Sequence, residues 1–145
     1  MSTPLRATVD RLFAAFEAKD EAAVLALLAD DAVLIDPHYP TPRMAGKTAI
    51  AEGLRWAFGA MKTLRFSIVT YGESEDGQTA VVEVDTAHML KTGLPLKFPQ
   101  AFIVDTREGV VTRVRAYTPY GPGGMGGLIL RVIRVWRRLR GPASR

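Results

Sequence analysis

Residues 27–50, LLADDAVLIDPHYPTPRMAGKTAI, decide the fold that we predict for this chain. An apolar run, Val33–Ile35, leads directly into Asp36, and three prolines follow within the next six residues. Proline fixes its own φ and restricts the residue before it, so this loop holds Asp36 in place at low entropic cost. Gly46 then precedes a segment in which apolar residues recur at helical spacing. Asp36 is therefore either a functional side chain presented by a strand or the capping group of a rigid turn.

Helices precede strands along the chain. Apolar residues at helical spacing predict three helices, over residues 4–19, 21–29 and 47–61. Asp20 is a suitable N-cap for the second of them. Segments rich in β-branched and aromatic residues then predict four long strands, over 64–71, 79–90, 96–105 and 109–120. Turn residues between these strands indicate antiparallel hairpins, so we predict an α+β fold in which a curled sheet and its helices enclose a pocket with Asp36 at the wall or mouth.

The composition excludes several classes of functional site. A chain of 145 residues predicts one domain, and the absence of cysteine excludes disulfides, thiol catalysis and thiolate metal sites. Two histidines argue against a histidine-rich zinc site, and Gly46-Lys47-Thr48 lacks the earlier glycine of a phosphate-binding loop. We therefore expect no metal and no cofactor. The N-terminus lacks an apolar signal segment and no apolar run approaches the roughly 20 residues of a membrane span, so we expect a cytoplasmic protein.

The charge is concentrated in the C-terminal tail. The net charge is +4, but the last fifteen residues hold six arginines and no acid, so the other 130 residues carry −2. A basic charge confined to one segment does not indicate a nucleic-acid partner. We therefore divide the chain into a domain, 1–120, and a tail, 121–145, in which a Gly-rich break precedes a basic amphipathic helix. The apolar face of that helix either packs on the domain or across a dimer, lies on an anionic membrane surface as a peripheral anchor, or closes over the pocket as a lid.

Several of these segments together are similar to a known family. Residues 26–37 (ALLADDAVLIDP), Pro42-Arg43, residues 46–50 (GKTAI) and residues 113–120 (RVRAYTPY) resemble the ketosteroid isomerase and SnoaL-like polyketide cyclase group of the nuclear transport factor 2-like superfamily. The resemblance covers about residues 5–120. It implies a cone-shaped fold in which helices wrap a curved sheet around a deep apolar pocket, and it implies a homodimer. The superfamily hosts several reactions as well as binding proteins, so the resemblance is more specific for fold than for chemistry.

The resemblance implies roles for individual residues. Asp36 corresponds to the general base of ketosteroid isomerases, which removes a proton beside a carbonyl group and returns it at another carbon. The two hydrogen-bond donors that stabilise the oxyanion in those enzymes correspond to Leu12, which cannot donate, and to Gln100, whose amide can. His38 is a further acid–base candidate because imidazole titrates near neutral pH, the alternative being a solvated loop histidine. We therefore predict the catalytic residues Asp36, His38 and Gln100.

Strand alternation adds residues that face the predicted pocket. His88 shares the more apolar side of its strand with Val84, and Gln100 alternates with Phe102. The substrate-contacting candidates are Tyr39, Trp56, Phe58, His88, Phe102 and Tyr120. Tyr39 and Tyr120 are also candidates for the hydroxyl that Leu12 lacks. For each of these side chains the alternative is an ordinary core or rim position.

Two functions follow from these expectations. In the first, the chain is an enzyme that isomerises, cyclises or dehydrates a small apolar molecule bearing a carbonyl group, with Asp36 as general acid/base. In the second, it is a non-catalytic module that binds a hydrophobic ligand. The leucine at position 12 favours binding alone, whereas Asp36 and His38 favour catalysis.

Overall fold

The computed structural model describes residues 2–119 and 124–140. Two helices lead into a sheet that the third helix interrupts, and a final helix follows the last strand. In chain order the elements are α1 (Pro4–Glu17), α2 (Glu21–Leu27), β1 (Leu28–Ile35), β2 (Arg43–Ala45), α3 (Lys47–Ala60), β3 (Met61–Thr63), β4 (Phe66–Glu73), β5 (Thr79–Leu90), β6 (Pro95–Arg107), β7 (Val110–Tyr117) and α4 (Gly124–Arg140).

Local sequence explains where the first three helices begin. The Thr3 hydroxyl accepts a hydrogen bond from the backbone N–H of Arg6 at 3.0 Å. The Asp20 carboxylate accepts one from the backbone N–H of Ala23 at 2.9 Å, which confirms Asp20 as the predicted N-cap. Gly46 precedes α3 with a φ of +86°, a conformation that glycine adopts readily and other residues do not.

The strands form one curled sheet in the order β2-β1-β7-β6-β5-β3, with β4 also paired to β5. The four long strands β4 to β7 pair antiparallel in sequence order, as the hairpin signals predict. The first strand, β1, pairs parallel with the last, β7. This arrangement confirms the predicted α+β fold of helices around a curved, largely antiparallel sheet. Asp36 directly follows β1, whose last residue, Ile35, pairs with Arg115 of β7.

The prediction that the second helix extends to residue 29 is wrong. The chain changes to strand at Leu28, which pairs with Val111 of β7 and is buried. Burial of this leucine against the last strand outweighs the helical pattern of its neighbours. Asp30 and Asp31 therefore lie exposed on β1 and not at the end of a helix, and the Asp30 carboxylate is 3.4 Å from Lys47 Nζ.

The core lies between α1, α2, α3 and the concave face of the sheet. Fully buried side chains come from every layer: Val9 and Leu12 of α1, Val24 of α2, Ile50 and Leu54 of α3, and Val82, Val84, Val104 and Val111 of the strands. Burial of each such side chain stabilises the fold by about 1.5–3 kcal/mol. His88 and Val84 lie on the same buried face of β5, as predicted. Gln100 and Phe102 likewise share the buried face of β6.

Helix α4 confirms the predicted amphipathic helix, and its described side chains are exposed or half-buried. None of the helices in the described parts of the chain is long and apolar enough to cross a membrane. Tyr120, predicted to contact substrate, and the predicted domain boundary between residues 120 and 121 lie outside the described residues.

Candidate functional site

A cavity of ≈ 280 Å³ lies between the helices and the concave face of the sheet. Its wall is made mostly of apolar and aromatic side chains from α1, α3, β5, β6 and β7. The polar side chains that reach it are Asp36, His38, Tyr39, His88 and Gln100. A largely apolar pocket with a few polar groups is the usual form of a small-molecule site.

Asp36 stands at the end of β1, where strand pairing gives way to the proline loop. Its backbone N–H donates to the Pro42 carbonyl oxygen at 2.9 Å, which closes the loop. Its side chain is buried, with the residue 9% exposed, and Oδ1 accepts from the backbone N–H of His38 at 2.9 Å. Asp36 thus caps its own turn and also lines the cavity, so the two interpretations of this residue both apply.

His38 supports the same carboxylate with its ring. His38 Nδ1 lies 2.9 Å from Asp36 Oδ1, and a carboxylate oxygen can only accept from this nitrogen when it carries a proton. The ring also packs on Phe98, with a centroid distance of 4.9 Å. Two donors therefore converge on Oδ1, whereas Oδ2 has no hydrogen-bond partner among the described residues.

His88 lies on β5 and is held in a neutral form. Burial lowers its pKa to about 4, with a further contribution from nearby His38. Its Nδ1 accepts a hydrogen bond from the backbone N–H of Arg65 at 3.2 Å. In a neutral ring with Nδ1 as acceptor, Nε2 carries the proton, so His88 is a hydrogen-bond donor in the cavity wall and is not a cation at neutral pH.

Gln100 is a deeply buried polar group of the site, at 4% exposure. Its Nε2 donates to the Thr86 hydroxyl at 3.1 Å, but Oε1 is buried without a partner in the described part of the chain. A hydroxyl both donates and accepts, so rotation of the amide by 180° preserves the contact with Thr86. Gln100 can therefore offer either an acceptor or an N–H donor to a molecule in the cavity.

The other predicted contact residues also lie in the cavity wall. Phe102 is buried, Phe58 is half-buried and Trp56 is exposed at the rim, where its ring lies 5.9 Å from that of Tyr39. Burial and the nearby carboxylate of Asp36 both raise the pKa of Tyr39, so its hydroxyl stays protonated and can donate. Leu12 contributes a buried apolar side chain to the wall.

Phe98 and Thr86 belong to the site and were not singled out from the sequence. Phe98 packs against His38 and stands edge-on to His88 at a centroid distance of 6.3 Å. Thr86 is paired across the strands with Phe98 and holds the amide of Gln100. Each faces the same side of its strand as a residue that we did select, so the alternation of side chains along a strand could have identified both.

The described side chains do not form a metal centre. No group of three or more His, Cys, Asp or Glu residues within 2–119 and 124–140 is arranged to hold a metal ion.

Comparison with known proteins agrees with this architecture. The profile of the SnoaL-like domain family matches residues 9–114 of this chain. The uncharacterized protein YesE of Bacillus subtilis (strain 168) is 27% identical over 114 residues, which are 76% of this chain and 78% of YesE.

Two solved structures share the fold. A predicted polyketide cyclase of Xanthomonas campestris pv. campestris superposes with a TM-score of 0.69 at 26% identity, covering 79% of this chain and 89% of that protein. The Δ5-3-ketosteroid isomerase of a Mycobacterium species superposes with a TM-score of 0.71 at 21% identity, covering 79% of this chain and 92% of the isomerase. At that identity the second likeness concerns the fold alone.

Proposed function

Because the chain belongs to the SnoaL-like domain family, we propose that it is a cofactor-independent enzyme that transfers a proton on a small apolar molecule bearing a carbonyl group. The observation that carries this proposal is the Asp36 carboxylate in the wall of an apolar cavity. One of its oxygens is held by His38, and the other has no partner within residues 2–119 and 124–140.

The first step is the removal of a proton from the carbon beside the carbonyl group. Asp36 Oδ2 takes this proton, the electron pair of the C–H bond forms a C=C bond, and the π pair of the carbonyl bond moves onto the oxygen to give an enolate. The His38 N–H groups keep the carboxylate in place during the transfer. A general base positioned in this way typically contributes 10²–10⁴-fold to the rate.

The negative charge that develops on the substrate oxygen needs a donor. Gln100 Nε2 donates to the Thr86 hydroxyl, and rotation of the amide by 180° would let Oε1 accept from that hydroxyl and free its N–H groups to donate to the substrate oxygen. Tyr39 and the Nε2–H of His88 are further donors in the wall. Such donors are effective in a site from which water is excluded, because the dielectric there is low.

Return of the proton from Asp36 completes the reaction. Delivery to a different carbon gives an isomerase. Attack of the enolate on a second carbonyl group gives a cyclase, and loss of a hydroxyl gives a dehydratase. All three share the first step, and the likeness to the predicted polyketide cyclase of Xanthomonas campestris pv. campestris supports this class of chemistry.

Exchange of substrate hydrogen with solvent tests the proposal. We would incubate cyclic enones, steroid ketones and polyketide-like β-diketones in D₂O with the wild type, with Asp36→Asn and with Asp31→Asn, an exposed carboxylate on the same strand. The proposal requires deuterium uptake beside a carbonyl in the wild type and in Asp31→Asn but not in Asp36→Asn. Equal uptake in all three proteins would contradict it.

A non-catalytic binding module is the second candidate function. The observation that favours it is Leu12, which puts an apolar side chain where the resemblance expects a hydroxyl donor. Loss of one such donor typically costs 10²–10³-fold in rate. Calorimetry on the same panel separates the two functions, because a module of this kind binds a compound in wild type and Asp36→Asn alike and exchanges no hydrogen.

A further inference from the structure

Helix α4 presents a continuous apolar face that no part of the described domain covers. Leu130 of this helix is half-buried. Eight other large apolar residues are 46% to 79% exposed: Met125, Leu128, Ile129, Val132, Ile133, Val135, Trp136 and Leu139. At 100° per residue they fall within one broad arc. An exposed apolar surface of this extent marks an interaction site.

The opposite face of α4 is basic. Arg131, Arg134, Arg137 and Arg138 lie there and are exposed. Arg140 stands at the border of the two faces, with its guanidinium 3.5 Å from the centroid of the Trp136 ring. No acidic residue occurs between residues 124 and 140. The helix therefore combines an apolar face with one on which every charged side chain is positive.

We propose that α4 anchors the protein to an anionic lipid surface, lying in the plane of the interface. A lipid surface fits both faces at once, because acyl chains take the apolar residues and acidic headgroups meet the arginines. The attraction is local, since the rest of the chain is mildly acidic.

The anchor is separate from the cavity. No residue of α4 lies in the described wall of the cavity, so the helix does not serve as a lid in this structure. The inference does not depend on the chemistry proposed for Asp36, because it rests only on α4.

Sedimentation with vesicles tests the anchor on the full chain. Wild-type protein is mixed with vesicles of phosphatidylcholine alone or with one third phosphatidylglycerol, and the bound fraction is measured. We expect binding only to the vesicles that contain phosphatidylglycerol. Removal of two charges by Arg134→Gln/Arg138→Gln should lower the partition coefficient about 25-fold, at about fivefold per arginine.

The matched control removes two arginines from the domain. Arg43→Gln/Arg107→Gln changes exposed residues outside α4 and should lower binding less than twofold. Equal loss in both double variants, or no binding of the wild type to anionic vesicles, would overturn the proposal. A shift from dimer to monomer in analytical ultracentrifugation of Val132→Ser/Leu139→Ser, without a change in vesicle binding, would assign the face to a second copy of this chain and would overturn it as well.

Discussion

Gln100 buries a carbonyl oxygen that finds no partner in the described residues, in a cavity wall that is otherwise mostly apolar. A buried polar atom without a hydrogen bond usually costs about 1–3 kcal/mol, and a ligand that bonds to the amide would recover part of that cost. At Gln100, therefore, the same buried amide lowers the stability of the empty protein and can bind a ligand in the cavity.

Replacement of Gln100 by Leu should separate the two effects. The variant removes the unpaired oxygen, so we expect the free energy of unfolding in urea to stay within about 1 kcal/mol of the wild type. Loss of the amide donor should lower the rate of hydrogen exchange about 10²–10³-fold. A large loss of stability, or exchange at the wild-type rate, would contradict the role assigned to Gln100.

His88 should make the protein less stable in acid. Its pKa is about 4 in the fold against 6.5 for the free side chain, so the unfolded chain binds more protons between these values. The contribution of neutral His88 to the free energy of unfolding is therefore fully present above pH 6.5 and is lost as the pH falls toward 4. This loss is at most about 3 kcal/mol.

The matched variant is His88→Gln, which keeps an acceptor for the Arg65 N–H and does not titrate. Urea unfolding at several pH values should show the stability of the wild type falling relative to the variant as the pH drops from 7 to 4. Parallel pH profiles for the two proteins would show that His88 is not the titrating group.

At the scale of the element, α3 holds the proline loop against the sheet at Gly53. A β-carbon at this position would overlap Met44 Sδ and stand 3.2 Å from Tyr39 Cδ1, whereas one at Gly59 on the same helix would meet nothing within 4 Å. Met44 is buried, which limits its room to move.

These two glycines predict opposite effects for the same substitution. Gly59→Ala should stabilise the protein by about 0.5–1 kcal/mol, because alanine favours the helix. Gly53→Ala should destabilise it by about 1–3 kcal/mol through overpacking. Thermal unfolding of both variants checks the pair, and stabilisation by Gly53→Ala would mean that the contact with Met44 relaxes at little cost.

The elements also show what the sequence could predict. Helices α1 and α3 and strands β4 to β7 follow from local periodicity, and so does the buried side of β5 and β6, since alternation is a short-range rule. The boundary at Leu28 and the parallel pairing of β1 with β7 depend on contacts between distant segments. Local patterns do not encode these contacts, so the sequence predicted Asp36 at the wall or mouth of a pocket but not the pairing of β1 with β7 that places it there.

At the scale of the whole molecule, helices α1 to α3 and the sheet form the folded unit, and α4 lies outside it. The side chains of α4 are mostly exposed, so the helix adds little burial to the domain.

A chain that ends at Tyr120 should therefore keep its melting temperature within about 2 °C of that of the full chain, because a shift of that size is less than about 1 kcal/mol for a domain of this length. Differential scanning calorimetry of the two chains is the measurement. A fall of more than 5 °C would show that α4 contributes to the stability of the domain.

The central claim is that Asp36 moves a proton within this cavity. The most direct measurement is the rate of hydrogen exchange in D₂O, followed by NMR at a saturating concentration of the best-bound carbonyl compound, for the wild type and Asp36→Asn. We predict that the variant binds this compound with similar affinity and exchanges its hydrogen at least about 100-fold more slowly. Equal exchange rates at equal occupancy would contradict the account.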